Sequence, residues 1–159
     1  MYEFEKYFSA NLQKALKLSA EAAKYYGSSY IGSEHLLFGL LNVQGCRAYR
    51  ILTQAGVKEP EYRRVFVRTL DKRLKISGYT PRTKGMFDKA CELAFEHDGA
   101  GASVGTEYML LAILMDDESV AVRHLRGLGA DIDGILNALD EEMGSPEPDP
   151  GQDAFEGMY

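Results

Sequence analysis

Two glutamates occupy the same place in two similar stretches of the sequence, and they are the residues best suited to chemistry. Glu34 and Glu107 each follow a Gly-Ser or Gly-Thr pair at the start of a predicted helix, while Ser9 and Thr80 each open a neighbouring helix. A single acid there would indicate only a helix-dipole interaction, worth about 0.3–1 kcal/mol. An acid that recurs at the same repeat position indicates a binding role as well. Its carboxylate suits a guanidinium, and the helix N-termini close to it suit a phosphate. The combination predicts recognition of a phosphorylated arginine.

These elements belong to an internal repeat. At an offset of 73 residues, eight positions between 31 and 56 are identical to their counterparts. In the first copy they are Gly32, Glu34, Leu37, Leu41, Ala48, Arg50, Leu52 and Gly56. The first helix aligns at an offset of 71, which places Ser9 on Thr80. The chain is therefore predicted to be a duplication of a four-helix unit, with the two copies related by a pseudo-twofold axis.

Helical periodicity runs through almost the whole chain, and no clear strand pattern interrupts it. Ser9 and Gly27 are suited to begin and end the first helix, and Thr80 followed by Pro81 is suited to begin the fifth. We predict an all-α fold with about eight helices, including a second helix capped by Ser33. A fourth helix is predicted to carry apolar residues Tyr62, Val65, Phe66, Leu70 and Leu74.

The domain is predicted to cover residues 1–143, with repeat one at 4–74 and repeat two at 79–143. Residues 144–159 hold three of the five prolines and four of the 24 acids but none of the 18 bases. Such a segment cannot bury enough apolar surface to offset its ordering entropy, so it is predicted to be a disordered tail or linker.

Composition excludes several classes of function. The net charge of -6 disfavours a nucleic-acid binder. The sequence has no stretch of roughly 18 apolar residues that would span a membrane, and residues 1–6 do not resemble a signal peptide. Cys46 and Cys91 are too few for a disulfide framework. We therefore expect a cytoplasmic protein without membrane contact.

The sequence carries no pattern for a cofactor, a metal ion or ATP. Gly27 and Gly32 have part of the spacing of a phosphate loop, but Ser33 and Glu34 follow where Lys and Ser or Thr are required. The three histidines and two cysteines lack paired ligand spacing. His35 is predicted to be a surface or partly packed residue, and both cysteines are predicted to be buried.

Three segments carry a resemblance to a known family. They are G-S-E-H-L-L-F-G-L-L at 32–41, Y-T-P-R at 79–82 and G-T-E-Y-M-L-L-A-I-L at 105–114. In order and spacing they resemble the repeated N-terminal domain of Clp chaperone ATPases, especially those of the ClpC type. The resemblance implies a non-catalytic domain that binds substrates and adaptors for an AAA+ unfoldase. It further implies a link to a ClpP-type protease through the parent ATPase, and a tail that corresponds to the linker.

The resemblance also assigns roles to site residues. Glu34 and Glu107 would hold the guanidinium of phosphoarginine, and Ser9 and Thr80, with the amides that follow them, would face its phosphate. Up to two weak sites are therefore expected. The chain departs from the family at Ser9, where threonine is usual, and at Tyr108, where histidine is common.

A second surface is implied around the start of the fifth helix. The family docks adaptors through the region that corresponds to Phe8, Tyr79, Arg82 and Lys84 of this sequence. Exposed aromatics beside basic residues are suited to anchor partner peptides. The alternative is that Phe8 and Tyr79 are hydrophobic staples at helix starts.

Two other readings remain open from the sequence alone. The chain could be a standalone regulator or adaptor of the same fold, with no ATPase attached. It could also be a small helical enzyme that uses Glu34 with His35, or Glu107, in a cleft. Binding without catalysis, by a monomer, is the preferred reading.

Overall fold

The structure is a computed structural model, and it describes residues 3–66 and 75–143. Within these ranges it contains eight α-helices, one short 3-10 helix at Glu3–Tyr7 and two strands of two residues each. The α-helices are α1 (Ala10–Tyr26), α2 (Ser33–Leu41), α3 (Arg47–Gln54), α4 (Glu59–Arg63), α5 (Pro81–Asp98), α6 (Thr106–Leu114), α7 (Val120–Gly127) and α8 (Ile132–Glu142). The predicted all-α class is confirmed. None of the described helices is long and apolar enough to cross a membrane.

The residues predicted to bound the long helices do so through the expected hydrogen bonds. The Ser9 hydroxyl accepts a bond from the Leu12 amide at 3.1 Å, and the Thr80 hydroxyl accepts one from Thr83 at 3.2 Å. Gly27 ends α1 in the left-handed region, at φ 84°. Both capping side chains satisfy amides that have no partner inside the helix.

The structure departs from the predicted elements in three places. Helix α4 ends at Arg63, so Phe66 lies beyond it, and the predicted helical positions Leu70 and Leu74 lie outside the described residues. Gly32 rather than Ser33 is the N-cap of α2, because the Ser33 hydroxyl bonds to another helix. Strands β1 (Tyr30–Ile31) and β2 (Gly78–Tyr79) also form a short parallel pair, which period-2 patterning cannot reveal at this length.

The two repeats are joined by crossed backbone pairing. In one crossing Ile31 pairs with Tyr79, and the Thr80 amide donates to the Ile31 carbonyl at 3.0 Å. In the other, Phe8 pairs with Val104, and the Ser9 amide donates to the Val104 carbonyl at 2.9 Å. Each repeat thus fixes the start of the first helix of the other repeat.

Two buried side-chain bonds repeat the same exchange. The Ser33 hydroxyl accepts a bond from the Ala121 amide at 3.1 Å, so α2 of repeat one caps α7 of repeat two. The Thr106 hydroxyl accepts one from the Ala48 amide at 3.2 Å, so α6 of repeat two caps α3 of repeat one. The offset of 73 relates Ser33 to Thr106 and Ala48 to Ala121, so the two bonds are equivalent. This equivalence confirms the predicted pseudo-twofold arrangement.

Helices α2 and α6 form the centre of the core, and both are apolar on nearly every face. Leu37 and Leu110, which correspond in the two repeats, are both completely buried. The contact between α1 and α2 is close because Gly39 has no side chain. A Cβ at position 39 would lie 2.3 Å from the Ala15 carbonyl oxygen and 2.5 Å from the Ser19 hydroxyl. The α1–α2 packing therefore requires glycine here.

This packing predicts opposite effects for one substitution at two glycines. Gly39→Ala should lower the free energy of unfolding by about 1–3 kcal/mol, because the helices must separate to admit the methyl group. Gly85→Ala, in α5, meets no atom within 4 Å and should raise it by about 0.5–1 kcal/mol through helix propensity. Urea unfolding of both variants measures the difference, and a neutral Gly39→Ala would contradict the packing.

Candidate functional site

The crossed pairing brings Glu34 of repeat one beside Thr80 of repeat two. Because the Thr80 amide is bonded to Ile31, the start of α5 lies next to the start of α2. The two helix starts border an open cavity of about 270 Å³. The lining residues are Ser28, Tyr30, Gly32, Ser33, Glu34, His35, Thr80, Arg82, Glu118, Val120 and Arg123. Residues predicted from distant parts of the sequence therefore meet at one surface, which we call the Glu34 corner.

The Glu34 carboxylate is half-buried but accessible, with 21% of its side chain exposed. It folds back over Gly32, where a Cβ would lie 2.0 Å from one carboxylate oxygen. Burial raises the pKa of Glu34, and a bond from its own backbone amide partly offsets the rise. A carboxylate that has lost solvent in this way is stabilised by a cation, so the corner favours a positively charged group.

Two arginines supply the opposite charge in the same cavity. Arg82, in the first turn of α5, is fixed by a two-oxygen interaction with Asp116, with both distances 2.6 Å. Arg123 comes from α7 and is exposed. With Glu34 and Glu118 on the same lining, the corner presents both signs of charge within one small cavity.

His35 is buried, contrary to the predicted surface or partly packed position, with 4% of the residue exposed. Its Nδ1 accepts a hydrogen bond from the Gly32 amide at 2.9 Å, which caps α2. Burial lowers the pKa of His35 to about 4, and the nearby His124 adds to the effect. At neutral pH the ring is therefore uncharged, and its 3.9 Å approach to the Glu34 carboxylate is not an ion pair.

The second glutamate lies in a different environment. Only 2% of Glu107 is exposed, and its carboxylate accepts a bond from Arg47 Nη1 at 2.9 Å. The expectation of a second solvent-facing carboxylate is thus not met. The surface around Glu107 that corresponds to the Glu34 corner is called the Glu107 corner. Ser9 lies at the expected place beside it, since its amide is bonded to Val104, three residues before Glu107. The two glutamates correspond by repeat but differ in accessibility.

The residues predicted to dock adaptors are also divided by burial. Phe8 is 4% exposed and packs against Phe87 with ring centroids 5.7 Å apart, so it belongs to the core. Tyr79 is half-buried, edge-on to the same ring at 4.7 Å. Arg82 and Lys84 are exposed on α5. Phe8 is therefore buried and not an exposed anchor, while the other three residues remain on or near the surface.

The cysteines and histidines do not gather into a ligand set in the described residues. Neither Cys46 nor Cys91 forms a disulfide, and both are buried, as predicted. Burial raises the pKa of Cys91 to about 11, which keeps the thiol protonated and unreactive at neutral pH. Across residues 3–66 and 75–143, no three His, Cys, Asp or Glu side chains are grouped so that they could hold a metal ion.

Sequence reasoning missed three residues that define the two corners. Arg123 and Glu118 line the Glu34 cavity, and Arg47 fills the place beside Glu107. The repeat alignment contained a signal for Arg47, because the offset of 73 sets it against Val120 inside an otherwise similar block. A charge in place of an apolar residue marks a local difference between the two copies.

Comparison with known proteins identifies the domain. The sequence profile of the Clp repeat (R) N-terminal domain matches the chain twice, at residues 7–99 and 78–156. The chain belongs to this family. The two overlapping matches to a Clp N-terminal repeat agree with the duplication that the sequence predicted and the structure contains.

The curated relatives of this Clp N-terminal domain are much longer proteins. It is 29% identical over 158 residues to the chaperone protein ClpB of Oceanobacillus iheyensis, covering 95% of this chain but 19% of that protein. It is 33% identical over 147 residues to a probable ATP-dependent Clp protease ATP-binding subunit of Chlamydia pneumoniae, covering 88% of this chain and 17% of the relative. The chain thus spans less than a fifth of their length.

Solved structures of Clp N-terminal domains have the same fold. The N-terminal domain of ClpD from Arabidopsis thaliana superposes with a TM-score of 0.70 at 22% identity, covering 88% of this chain and 99% of that one. The Hsp104 N-terminal domain from Candida albicans gives 0.72 at 20% identity, covering 92% and 97%. The ClpV N-domain in complex with a VipB peptide gives 0.64 at 15%, covering 88% and 91%.

The buried, uncharged His35 predicts an acid-sensitive component of stability. Its folded pKa lies below its unfolded value of about 6.5, so the unfolded state binds the proton more readily. Stability is therefore lost as the pH falls from about 6.5 towards about 4. His35→Gln keeps an acceptor for the Gly32 amide but cannot titrate. Between pH 7 and pH 5 it should lose about 1–2 kcal/mol less unfolding free energy than the wild type.

The matched control is His97→Gln, because 48% of the His97 side chain is exposed. Urea unfolding at both pH values measures the loss for each protein. His97→Gln should retain the wild-type loss. A wild-type loss in His35→Gln as well would show that His35 is not held neutral in the folded state.

Proposed function

We propose that this Clp N-terminal domain captures marked proteins through the Glu34 corner. The observation that carries the proposal is the meeting of the Glu34 carboxylate with Arg82 and Arg123 around one cavity of about 270 Å³. A ligand that bears a single charge would satisfy only one side of this cavity. A ligand that bears a cationic and an anionic group a few atoms apart would satisfy both.

Phosphoarginine is such a ligand. Its guanidinium would bind the Glu34 carboxylate in a charge-assisted pair, which the partial burial of Glu34 strengthens. Its phosphate would lie towards Arg123 and the start of α5, where the helix dipole supplies positive potential. Thr80 would orient this helix start, since its hydroxyl already holds the Thr83 amide.

The size of the cavity supports recognition of a side chain instead of a folded surface. A volume of about 270 Å³ lies just below the usual range for small-molecule pockets. One modified arginine within a flexible segment would fit such a volume. Affinity for the free amino acid is expected to be weak, because the small contact area must offset the entropy of association.

Binding without catalysis accounts for the arrangement better than an enzymatic reaction. In the enzymatic alternative, Glu34 with His35, or Glu107, would move a proton. The Nδ1 atom of His35 already accepts the capping bond from Gly32, and burial keeps this ring uncharged. Glu107 is enclosed with Arg47. His35 Nδ1 and the Glu107 carboxylate are thus both engaged in bonds within the fold, which favours binding over proton transfer.

The place of the domain in a larger machine is likewise proposed. Two relatives are named as ATP-binding subunits of an ATP-dependent Clp protease, and another is named ClpC/MecB. We therefore propose that the domain delivers proteins to a ClpC-like ATPase and, through it, to a ClpP-type protease in the cytoplasm. The alternative is a standalone regulator with the same fold. The coding sequence after Tyr159 distinguishes the two.

Adaptor docking is proposed for the exposed side of α5. Arg82 and Lys84 lie there beside the half-buried Tyr79, and Arg82 borders a second open cavity of about 320 Å³. Met115, which is 52% exposed, supplies an apolar edge to this cavity. The ClpV N-domain, a distant structural relative, forms a complex with a VipB peptide. A peptide of an adaptor could bind here in this chain.

Calorimetry with free phosphoarginine tests the Glu34 corner. The wild-type chain should bind one equivalent, and Glu34→Gln should weaken binding at least tenfold, because the amide cannot neutralise the guanidinium. Glu92→Gln, on the exposed side of α5 outside the cavity, is the matched control and should bind as the wild type does. Equal affinities in all three proteins would refute the proposed role of Glu34.

A second substitution tests the phosphate side of the same cavity. Arg123→Gln should reduce binding of phosphoarginine several-fold but leave the much weaker binding of unmodified arginine unchanged, because only the phosphate needs this cation. Arg126→Gln, one helical turn further along α7 and exposed, serves as the control. A loss of both ligands in Arg123→Gln would mean that Arg123 supports the fold of the corner instead of reading the phosphate.

A further inference from the structure

The pseudo-twofold axis defines a second corner whose lining can be compared residue by residue with the first. Ser33 and Thr106 make the equivalent buried bonds, to Ala121 and Ala48 respectively. The residue after each of them is the glutamate of its corner. Glu107 is therefore placed by its backbone to face the space that corresponds to the Glu34 cavity.

The two corners differ in one pair of equivalent side chains. Val120, at the start of α7, lines the Glu34 cavity and is 37% exposed. Its counterpart at the start of α3 is Arg47, which is 6% exposed. A short apolar side chain leaves the first corner open, whereas a long cationic side chain extends into the second.

Arg47 makes in the second corner the contact that a bound guanidinium would make in the first. Its Nη1 donates to the Glu107 carboxylate at 2.9 Å and also to the Glu142 carbonyl at 3.2 Å. The Glu142 carboxylate lies 3.9 Å from Arg47 Nε. Contacts on both sides hold the guanidinium in place, and they tie the end of α8 to this corner.

We propose that Arg47 is a built-in occupant of the second corner, which leaves the domain with one ligand site in place of two. A guanidinium attached to α3 has a high effective concentration beside Glu107, so a free ligand cannot compete with it. That the Glu34 corner binds phosphoarginine rests on the proposed function. The occupancy of the Glu107 corner by Arg47 does not depend on that ligand. Arg47 thereby sets the binding stoichiometry.

Removal of the occupant should convert the second corner into a guanidinium site. Arg47→Val introduces the residue found at the equivalent position of the open corner. Millimolar methylguanidinium chloride, compared with the same concentration of sodium chloride, should raise the unfolding temperature of this variant by more than that of the wild type, because a second bound ligand adds to the stability of the folded state. Arg47→Val combined with Glu107→Gln is the matched control, and it should show only the wild-type shift, which comes from the Glu34 corner.

The outcomes separate this inference from the proposed function. A shift in Arg47→Val beyond that of the wild type, which the double variant does not show, supports the built-in occupant, even if phosphoarginine binds nowhere. A folded Arg47→Val that shifts no more than the wild type, or an equal shift in the double variant, overturns it. Two equivalents of phosphoarginine bound by the wild-type chain would also overturn it.

A measurement on the unmodified chain keeps the inference testable if Arg47→Val fails to fold. Nitrogen-15 NMR of the wild-type protein should give separate Nη signals for Arg47, since two hydrogen bonds from Nη1, to Glu107 and Glu142, hinder rotation of its guanidinium. The exposed Arg123 should give one averaged signal. An averaged Arg47 signal would show that its guanidinium is not held in the corner, and would contradict the proposal.

Discussion

The arrangement of this domain depends on an exchange of backbone hydrogen bonds between its two halves. The Thr80 amide is bonded to Ile31, and the Ser9 amide to Val104, so the first helix of each repeat begins against the segment that leads into the second helix of the other. Buried amides and carbonyls must be paired, and neither repeat supplies these partners to itself. The acidic corners are therefore properties of the assembled pair. An isolated repeat would have its glutamate without the helix start that faces it.

The same exchange explains how equivalent corners acquired different chemistry. Both keep a glycine N-cap, a hydroxyl that caps a helix of the other repeat, and a glutamate directly after it. The two corners differ at one equivalent position, which is Val120 in the Glu34 corner and Arg47 in the Glu107 corner. A buried ion pair contributes little net stability, yet loss of one partner leaves an uncompensated charge. Arg47 and Glu107 are thus each difficult to change alone, which would preserve the asymmetry once it arose.

The sequence predicted the parts of the structure that depend on local chemistry. Ser9 and Thr80 were identified as caps because a hydroxyl before a helical pattern can satisfy an amide three residues later. The repeat was visible because both copies keep the same small and apolar residues at the contacts of their helices. The fold class followed from helical periodicity, and the place of each glutamate at a helix start followed from the caps and the repeat.

Accessibility could not be predicted in the same way, because it depends on side chains far away in the sequence. Glu107 is enclosed by Arg47, 60 residues earlier, and no local pattern indicates where that guanidinium points. Phe8 precedes a cap, where an aromatic residue can be a staple or a surface anchor, and its burial depends on Phe87, which lies 79 residues later. His35 is a capping residue because its ring reaches back to Gly32, a choice of rotamer that residue type does not determine.

The central claim is that one corner binds and its twin is closed. The most direct test is an NMR titration of the labelled chain with a peptide that contains one phosphoarginine, following the backbone amides of both corners. The account predicts saturable shifts at residues 32–35 and 80–84, with residues 9–12 and 105–108 unaffected. Comparable shifts in both corners, or shifts confined to surfaces away from the Glu34 corner, would contradict it.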